Sequence, residues 1–526
     1  MADVRQRGAM PAILLAAGVT LLVMAWVFGN PPGAAPDESS HYVRALGAGG
    51  LELIGERFVP SEAQRLAFVE QGKSGGPQIE GSGLATVLWA DKQTRTFAVP
   101  PALSVAMFGC NDRRSTVSAA CLDDPPQGRR VSRLPTYTGT YPPFAYLLPG
   151  AAMRLADAPA PALRAGRLVS AILCVLLLAA AVALTWAPAG GCVALAAFGL
   201  AVTPMVVFCA STLNASGPEI AGSLCFVAAG LRLRRPGAGP AAWAALAAGG
   251  VALVLARSLG PALLVVLAAT LLVLPGAEPG ARPRPPAAAL AVLLVAFAVA
   301  LWWVLAQEPH GVEGGSSVRD ALAQTLHDLD DLAGHAVGNF GALDTRLPTA
   351  LYVLWGLAAL GLAGLAAALG SARERAGLAL TAAVALGVTV VVSVFQLRTG
   401  YGAQGRHVLP VLVLVPLWAG EVLRRHATGQ RWVLPIAGVA VLFAGGQALA
   451  WWANARRAAV GTDGPWWFSG AAEWVPPGGW WPWAALAAAG ALLALLGGLL
   501  AAAAQAQRSD FSRSRSIPPS NASTPA

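Results

Sequence analysis

Charge is scarce in this sequence. Acidic and basic residues make up 12% of its 526 positions, where a soluble domain carries about 25%. Lysine is confined to Lys73 and Lys92, so nearly all positive charge rests on arginine. A normal water-facing surface cannot be built from so few charges, which excludes an ordinary soluble globular protein. No stretch reads as a phosphate-binding P-loop, and no internal repeat supplies the paired halves common in transporters. Cysteine is also scarce, with six in all. Cys174, Cys192, Cys209 and Cys225 fall in apolar runs and read as small hydrophobes. Cys110 and Cys121 share a polar loop, where an oxidising compartment would favour a disulfide and a reducing one would leave two thiols.

What is present is hydrocarbon. The chain is 56% hydrophobic with a mean hydropathy of +0.58, and runs long enough to cross about 30 Å of lipid recur along it. The expected spans are 11–29, 166–187, 192–210, 218–231, 240–256, 261–275, 287–306, 348–369, 377–396, 407–422, 432–451 and 480–504. These make an all-α polytopic membrane protein of about twelve transmembrane helices. The first run has basic residues before it but no small-x-small cleavage site, so it reads as a retained helix.

Net charge is +9 and the pI about 9.7. The arginines sit in alternate short connections: Arg5 and Arg7; Arg232, Arg234 and Arg235; Arg282 and Arg284; Arg373 and Arg375; Arg424, Arg425 and Arg431; Arg508, Arg513 and Arg515. That is the positive-inside pattern of a multi-pass cell-membrane protein, and it places both termini in the cytoplasm. No soluble basic face exists to bind nucleic acid.

The same pattern divides the chain. Residues 1–29 form the cytoplasmic end and first span, and 30–165 a large extracytoplasmic loop. Spans fill 166–306, and a second outer loop covers 307–347. Further spans fill 348–505 with a third outer loop at 452–479, and 506–526 is a polar tail expected to be disordered. Pro60, Ser61 and Gln64 read as a capped helix start within the first loop. The apolar run Pro142–Leu155 is too short to cross and reads as a re-entrant or interfacial segment. His41, His310, His327, His335 and His407 fall on the outer side, and only His426 on the inner. Inner connections are too short for a nucleotide site, so an enzyme here must draw on a substrate already carried by the membrane.

Charges beside a bilayer are site candidates by default. Pro36-Asp37-Glu38-Ser39-Ser40-His41 stands at the mouth of the first span. If a helix starts here, Asp37, Glu38 and His41 share one face. A carboxylate so placed can take a proton from a hydroxyl or hold a divalent cation. Acids at a helix start also cap it in plain water, and the residues alone leave both readings open. Tyr141-Pro142-Pro143 and Tyr146 give an aromatic rim at a proline break, either facing substrate or forming an interfacial belt. Asn214 and Glu219 mark a tight turn, able to hold an acceptor hydroxyl or merely to cap the next helix. Arg257, Arg346, Arg398 and Arg406 are the outer guanidiniums that could grip a phosphate, with snorkelling at helix ends as the alternative. His327, Asp331 and His335 recur every four residues, which fits a metal site less well than the polar face of an amphipathic helix.

The ordered set Pro36–His41, Thr140–Tyr146, Asn214–Ile220, Gly341–Thr345 and Gln404–Pro410 resembles the DUF2142 family of predicted bacterial membrane proteins. That family is itself similar to the GT-C glycosyltransferases. The resemblance spans residues from about 10 to about 450 and implies transfer of a sugar from a polyprenyl-phosphate donor, outside the membrane, to an envelope glycan or lipid acceptor. It implies Asp37 as catalytic base, with Glu38 beside it, or an acid there as ligand to a divalent cation; a single base and direct displacement would invert the anomeric carbon. His41, Tyr141, Tyr146, Asn214, Glu219, Arg257, Asp344, Arg398, Arg406 and His407 form the candidate substrate-binding set, from these motifs and the outer guanidiniums together. His407 stands where an aromatic residue is expected after the arginine. A flippase of lipid-linked glycans and a non-catalytic envelope scaffold are the alternatives.

Overall fold

A computed structural model of the protein describes residues 2–58, 62, 92–105, 108, 114–122, 132–186, 191–276, 278, 285–307, 316–399 and 402–514. Helices dominate, as the apolar runs require. The first, α1 (Ala2–Gly29), leads through a turn into α2 (Glu38–Gly49). Next comes a small antiparallel sheet of β1 (Glu56–Arg57), β2 (Arg95–Ala98) and β3 (Arg133–Thr136), with Phe97 opposite Leu134. Phe97, Leu134, Tyr42, Leu103, Tyr146 and Leu163 form a core of their own, apart from the core between the long helices.

The run at Pro142–Leu155 becomes a 3-10 turn (Phe144–Tyr146) and the short helix α3 (Leu147–Met153), consistent with a segment that does not cross. Beyond it lie α4 (Pro159–Thr185), α5 (Gly191–Ala201), α6 (Pro204–Ser211), α7 (Ser216–Arg232), α8 (Pro240–Ala256), α9 (Gly260–Val273) and α10 (Ala287–Ala306). The region of the second loop holds α11 (Val318–His327), α12 (Leu329–Val337) and a hairpin of β4 (Asn339–Phe340) and β5 (Thr345–Arg346). The chain continues with α13 (Thr349–Leu369), α14 (Ala372–Arg398), α15 (Gly405–Leu412), α16 (Leu414–His426), α17 (Val433–Val460) and α18 (Trp480–Ser514).

The protein is a polytopic membrane protein, but the span count differs from the sequence reading. Eight helices among the described residues are long and apolar enough to cross, or nine if α5 and α6, bent by 64°, make one span. The expected spans at 218–231, 240–256 and 261–275 are helices of 17, 17 and 14 residues. At about 1.5 Å per residue these fall short of a bilayer's hydrocarbon thickness. Hydropathy could not separate α8 and α9 from longer spans because both are strongly apolar and differ only in length, while α7 is buried against its neighbours and carries Glu219. The C-terminal helix also runs on to Ser514, past the point where the tail was expected to begin. Pro60, Ser61, Gln64 and His310 lie outside the described residues.

At the end of the bundle remote from Asp37, arginines of the short connections do more than suggest a topology. Glu421, fully buried, pairs with Arg235 at 2.5 Å, Arg424 at 2.9 Å and Arg425 at 3.1 Å. Glu374, reciprocally capped with Ser371 at the start of α14, adds contacts to Arg425 at 3.3 Å and His426 at 2.8 Å. Arg235 also reaches the Thr185 carbonyl at 3.2 Å, so this network ties α4, α7, α14 and α16 together.

Candidate active site

Asp37 occupies the residue before α2 with φ +65°, a left-handed conformation that aspartate tolerates better than most residues. Its side chain makes no capping hydrogen bond to the helix. The carboxylate turns away instead: Oδ1 accepts from the Tyr137 hydroxyl at 2.6 Å, and Oδ2 from Arg406 Nη2 at 2.5 Å. Arg406, in the first turn of α15, also donates to the Pro36 carbonyl at 3.2 Å. Burial alone would raise the Asp37 carboxyl, but the Arg406 guanidinium and the Tyr137 hydroxyl oppose it, and the group lies below its ordinary value. The side chain remains 36% exposed. It is therefore an ionised, positioned and reachable carboxylate.

Glu38 has the opposite fate. It pairs with Arg167 through both oxygens, at 2.7 and 2.5 Å, with both side chains fully buried. The backbone N–H groups of Gly33 and Leu213 also donate to it, at 3.0 and 2.9 Å. Arg167 spends its remaining N–H groups on the carbonyls of Val27, Asn30 and Pro31. The expectation of Asp37, Glu38 and His41 on one helical face is corrected here, because Asp37 lies outside the helix and Glu38 faces α4. Glu38 is a structural clamp with no carboxylate direction free for chemistry.

His41 is buried, with Nδ1 2.8 Å from the Tyr146 hydroxyl and its ring stacked on Tyr146 at 5.8 Å. Tyr141 meets the same ring edge-on at 5.8 Å. Burial pushes the imidazole down to about 3, with Asp37 opposing and Arg406 and Arg257 reinforcing the shift, so His41 is neutral. Arg257, capping the end of α8, lies 6.0 Å from the Tyr141 ring centroid and 3.4 Å from Glu219 Oε2. Glu219 Oε1 and Arg406 Nε are buried without a hydrogen-bond partner among the described residues. His407, next to Arg406, sets Nδ1 2.6 Å from the Gln396 amide.

The fold thus gathers Asp37, His41, Tyr141, Tyr146, Glu219, Arg257, Arg406 and His407 around one spot. Three expected members stand apart. Asn214 closes the turn before α7, its amide donating to Cys209 and Thr212 and its oxygen accepting from Gly217 N–H at 2.7 Å. Asp344 sits in the β4–β5 turn and pairs with Arg457 at 2.5 Å. Arg398 is exposed at the end of α14. Arg346 pairs with Asp331 at 3.2 Å. Asp328 separates α11 from α12, so His327, Asp331 and His335 do not share one helix. No three or more His, Cys, Asp or Glu side chains converge as metal ligands among the described residues. Cys121 is disulfide-bonded, while Cys110 lies outside the described residues.

Two residues were missed. Tyr137 carries no sequence signal, being one hydroxyl just past a short strand. Arg167 did: an arginine inside an apolar span is a candidate wherever it occurs.

A family model described as "Predicted membrane protein (DUF2142)" matches residues 20–415. The crystal structure of ArnT from Cupriavidus metallidurans bound to undecaprenyl phosphate is similar over 94% of this chain and 76% of that one, at 15% identity and a TM-score of 0.44. ArnT from the same organism in the apo state aligns over 85% and 78% of the two chains, at 16% identity and a TM-score of 0.38. No curated protein matches the sequence.

Proposed function

We propose, starting from a chain that belongs to the DUF2142 family of predicted membrane proteins, that it is a glycosyltransferase using a polyprenyl-phosphate sugar at the extracytoplasmic face. The observation that carries this reading is Asp37: a reachable carboxylate aimed by Tyr137 and Arg406, with a second guanidinium, Arg257, in the same cluster. In the scheme, the acceptor hydroxyl loses its proton to Asp37 and its oxygen attacks the anomeric carbon. The bond from that carbon to the phosphate oxygen breaks, and its electron pair leaves with the phosphate. Arg406 and Arg257 meet the developing charge, a role for which forked guanidiniums are well suited. One base and one direct displacement give inversion at the sugar. Glu38 holds the backbone that presents Asp37 and takes no proton.

The test is sugar release from labelled polyprenyl-phosphate donors by the purified full chain in lipid. Asp37→Asn is expected to lower turnover at least about a hundredfold, the typical worth of a positioned base. Full activity in that variant, or no turnover of any donor by the wild type, would sink the reading. Translocation of a lipid-linked glycan that survives Asp37→Asn would favour the flippase.

A further inference from the structure

The cluster around Asp37 is already balanced in charge. Asp37 faces Arg406, and Glu219 faces Arg257. From the elements packed around Asp37 come Tyr137 beyond β3, Arg406 on α15 and His41 on its own helix, with Tyr141, Tyr146, Glu219 and Arg257 behind them. His41 is neutral. A phosphate entering this set adds negative charge to two partly or wholly buried pairs, which is costly unless a carboxylate withdraws or gains a proton.

The two partners of the Asp37–Arg406 pair differ in freedom. Arg406 is 5% exposed and fixed by the Pro36 carbonyl, whereas Asp37 is 36% exposed. Arg406 also keeps a buried Nε without a partner. The carboxylate is the member able to leave.

The geometry points to an exchange at this pair: the phosphate of an anionic lipid takes over Arg406 and releases Asp37. The inference rests on the reading of the site as one that binds a lipid phosphate. In the resting protein Asp37 competes with the donor for its guanidinium and is a poor base while it does so. Donor binding ends that competition and frees the carboxylate to accept the proton of the acceptor hydroxyl. The donor then comes before the deprotonation by necessity, and the base is switched on by the substrate it serves.

The experiment measures the affinity of the full chain, in nanodiscs of neutral lipid, for undecaprenyl phosphate and for undecaprenol. Wild type is expected to prefer the phosphate, and Arg406→Ala to lose that preference. Asp37→Asn removes the competitor and is expected to bind undecaprenyl phosphate on the order of tenfold more tightly. Asp37→Glu keeps the charge and is expected to bind like wild type. Asp37→Ser removes the same charge and replaces Asp37→Asn should the latter not fold. Equal or weaker phosphate binding by the uncharged variants, with wild-type preference intact, would overturn the exchange alone. A wild type that binds undecaprenol as well as its phosphate would overturn the lipid-phosphate reading itself, and the exchange with it.

Discussion

An aspartate that does not cap its helix must be held by something else, and at Asp37 those holders are a tyrosine and an arginine distant in sequence. Arg406 is 369 positions away and Tyr137 is 100. The sequence could place Asp37 at the mouth of the first span because charge beside a bilayer is rare. It could not separate Asp37 from Glu38, since the decision lies with Arg167, 129 positions downstream. His41 has a consequence that can be measured. Its imidazole is held down to about 3 by burial, against about 6.5 in an unfolded chain. A depressed histidine contributes stability that is complete above about pH 6.5 and declines as pH falls from there toward the folded value. Below about pH 6.5 the slope approaches 1.4 kcal/mol per pH unit. Thermal unfolding in detergent between about pH 7.5 and about pH 4.5 is expected to show this loss. His41→Gln should flatten it, and an unchanged slope would mean that His41 is not neutral.

At the level of elements, α2 reaches its working position by crossing α3 backbone against backbone. A Cβ on Gly150 would stand 1.8 Å from the Ala45 carbonyl oxygen, and one on Gly49 would stand 2.1 Å from the Gly150 carbonyl carbon. Gly150→Ala is therefore expected to push α2 aside, lowering stability by about 1–3 kcal/mol and transfer activity with it. Gly356→Ala, in α13 where nothing lies within 4 Å, is the matched control. It should be neutral or gain up to about 1 kcal/mol. Equal unfolding temperatures for the two variants would contradict the crossing. None of this was legible beforehand, because glycine at 59 positions gives no hint of which ones meet another backbone. The long spans were legible from hydropathy, though α17 runs on to Val460 and α4 begins at Pro159, both well beyond the expected bounds. The short helices α8 and α9 were not, since their apolarity serves packing and lipid alike.

Across the whole molecule, charge that looked like topology proves also to be glue. Arg235, Arg424 and Arg425 were read as loop markers, yet all three converge on Glu421. Glu421→Ala leaves three guanidiniums without their common partner and is expected to cost about 3–5 kcal/mol. A drop in unfolding temperature should reveal it, while Glu421→Gln, keeping the shape, should lose less. An unchanged unfolding temperature would show the network to be dispensable. The Asp37 end and this one share a device, an acid held by an arginine distant in sequence: Arg406 for Asp37 and Arg235 for Glu421. Glu421 is wholly buried, whereas Asp37 is left reachable.

The pairing of α1 with α18 bears on how the protein is made. A Cβ on Gly18 would sit 2.6 Å from the Gly490 oxygen, and one on Gly490 would sit 2.8 Å from the Gly18 oxygen, so the first and last helices meet at their backbones. Small residues permit that approach, and in lipid it is packing that holds such helices together. During synthesis α1 enters the membrane long before α18 exists, leaving this glycine seam facing lipid. The segment that presents Asp37 hangs from the end of α1. The segment that carries Asp37 is accordingly translated well before both Arg406 and the helix that α1 pairs with, so an unfinished chain carries Asp37 without the seam that steadies it.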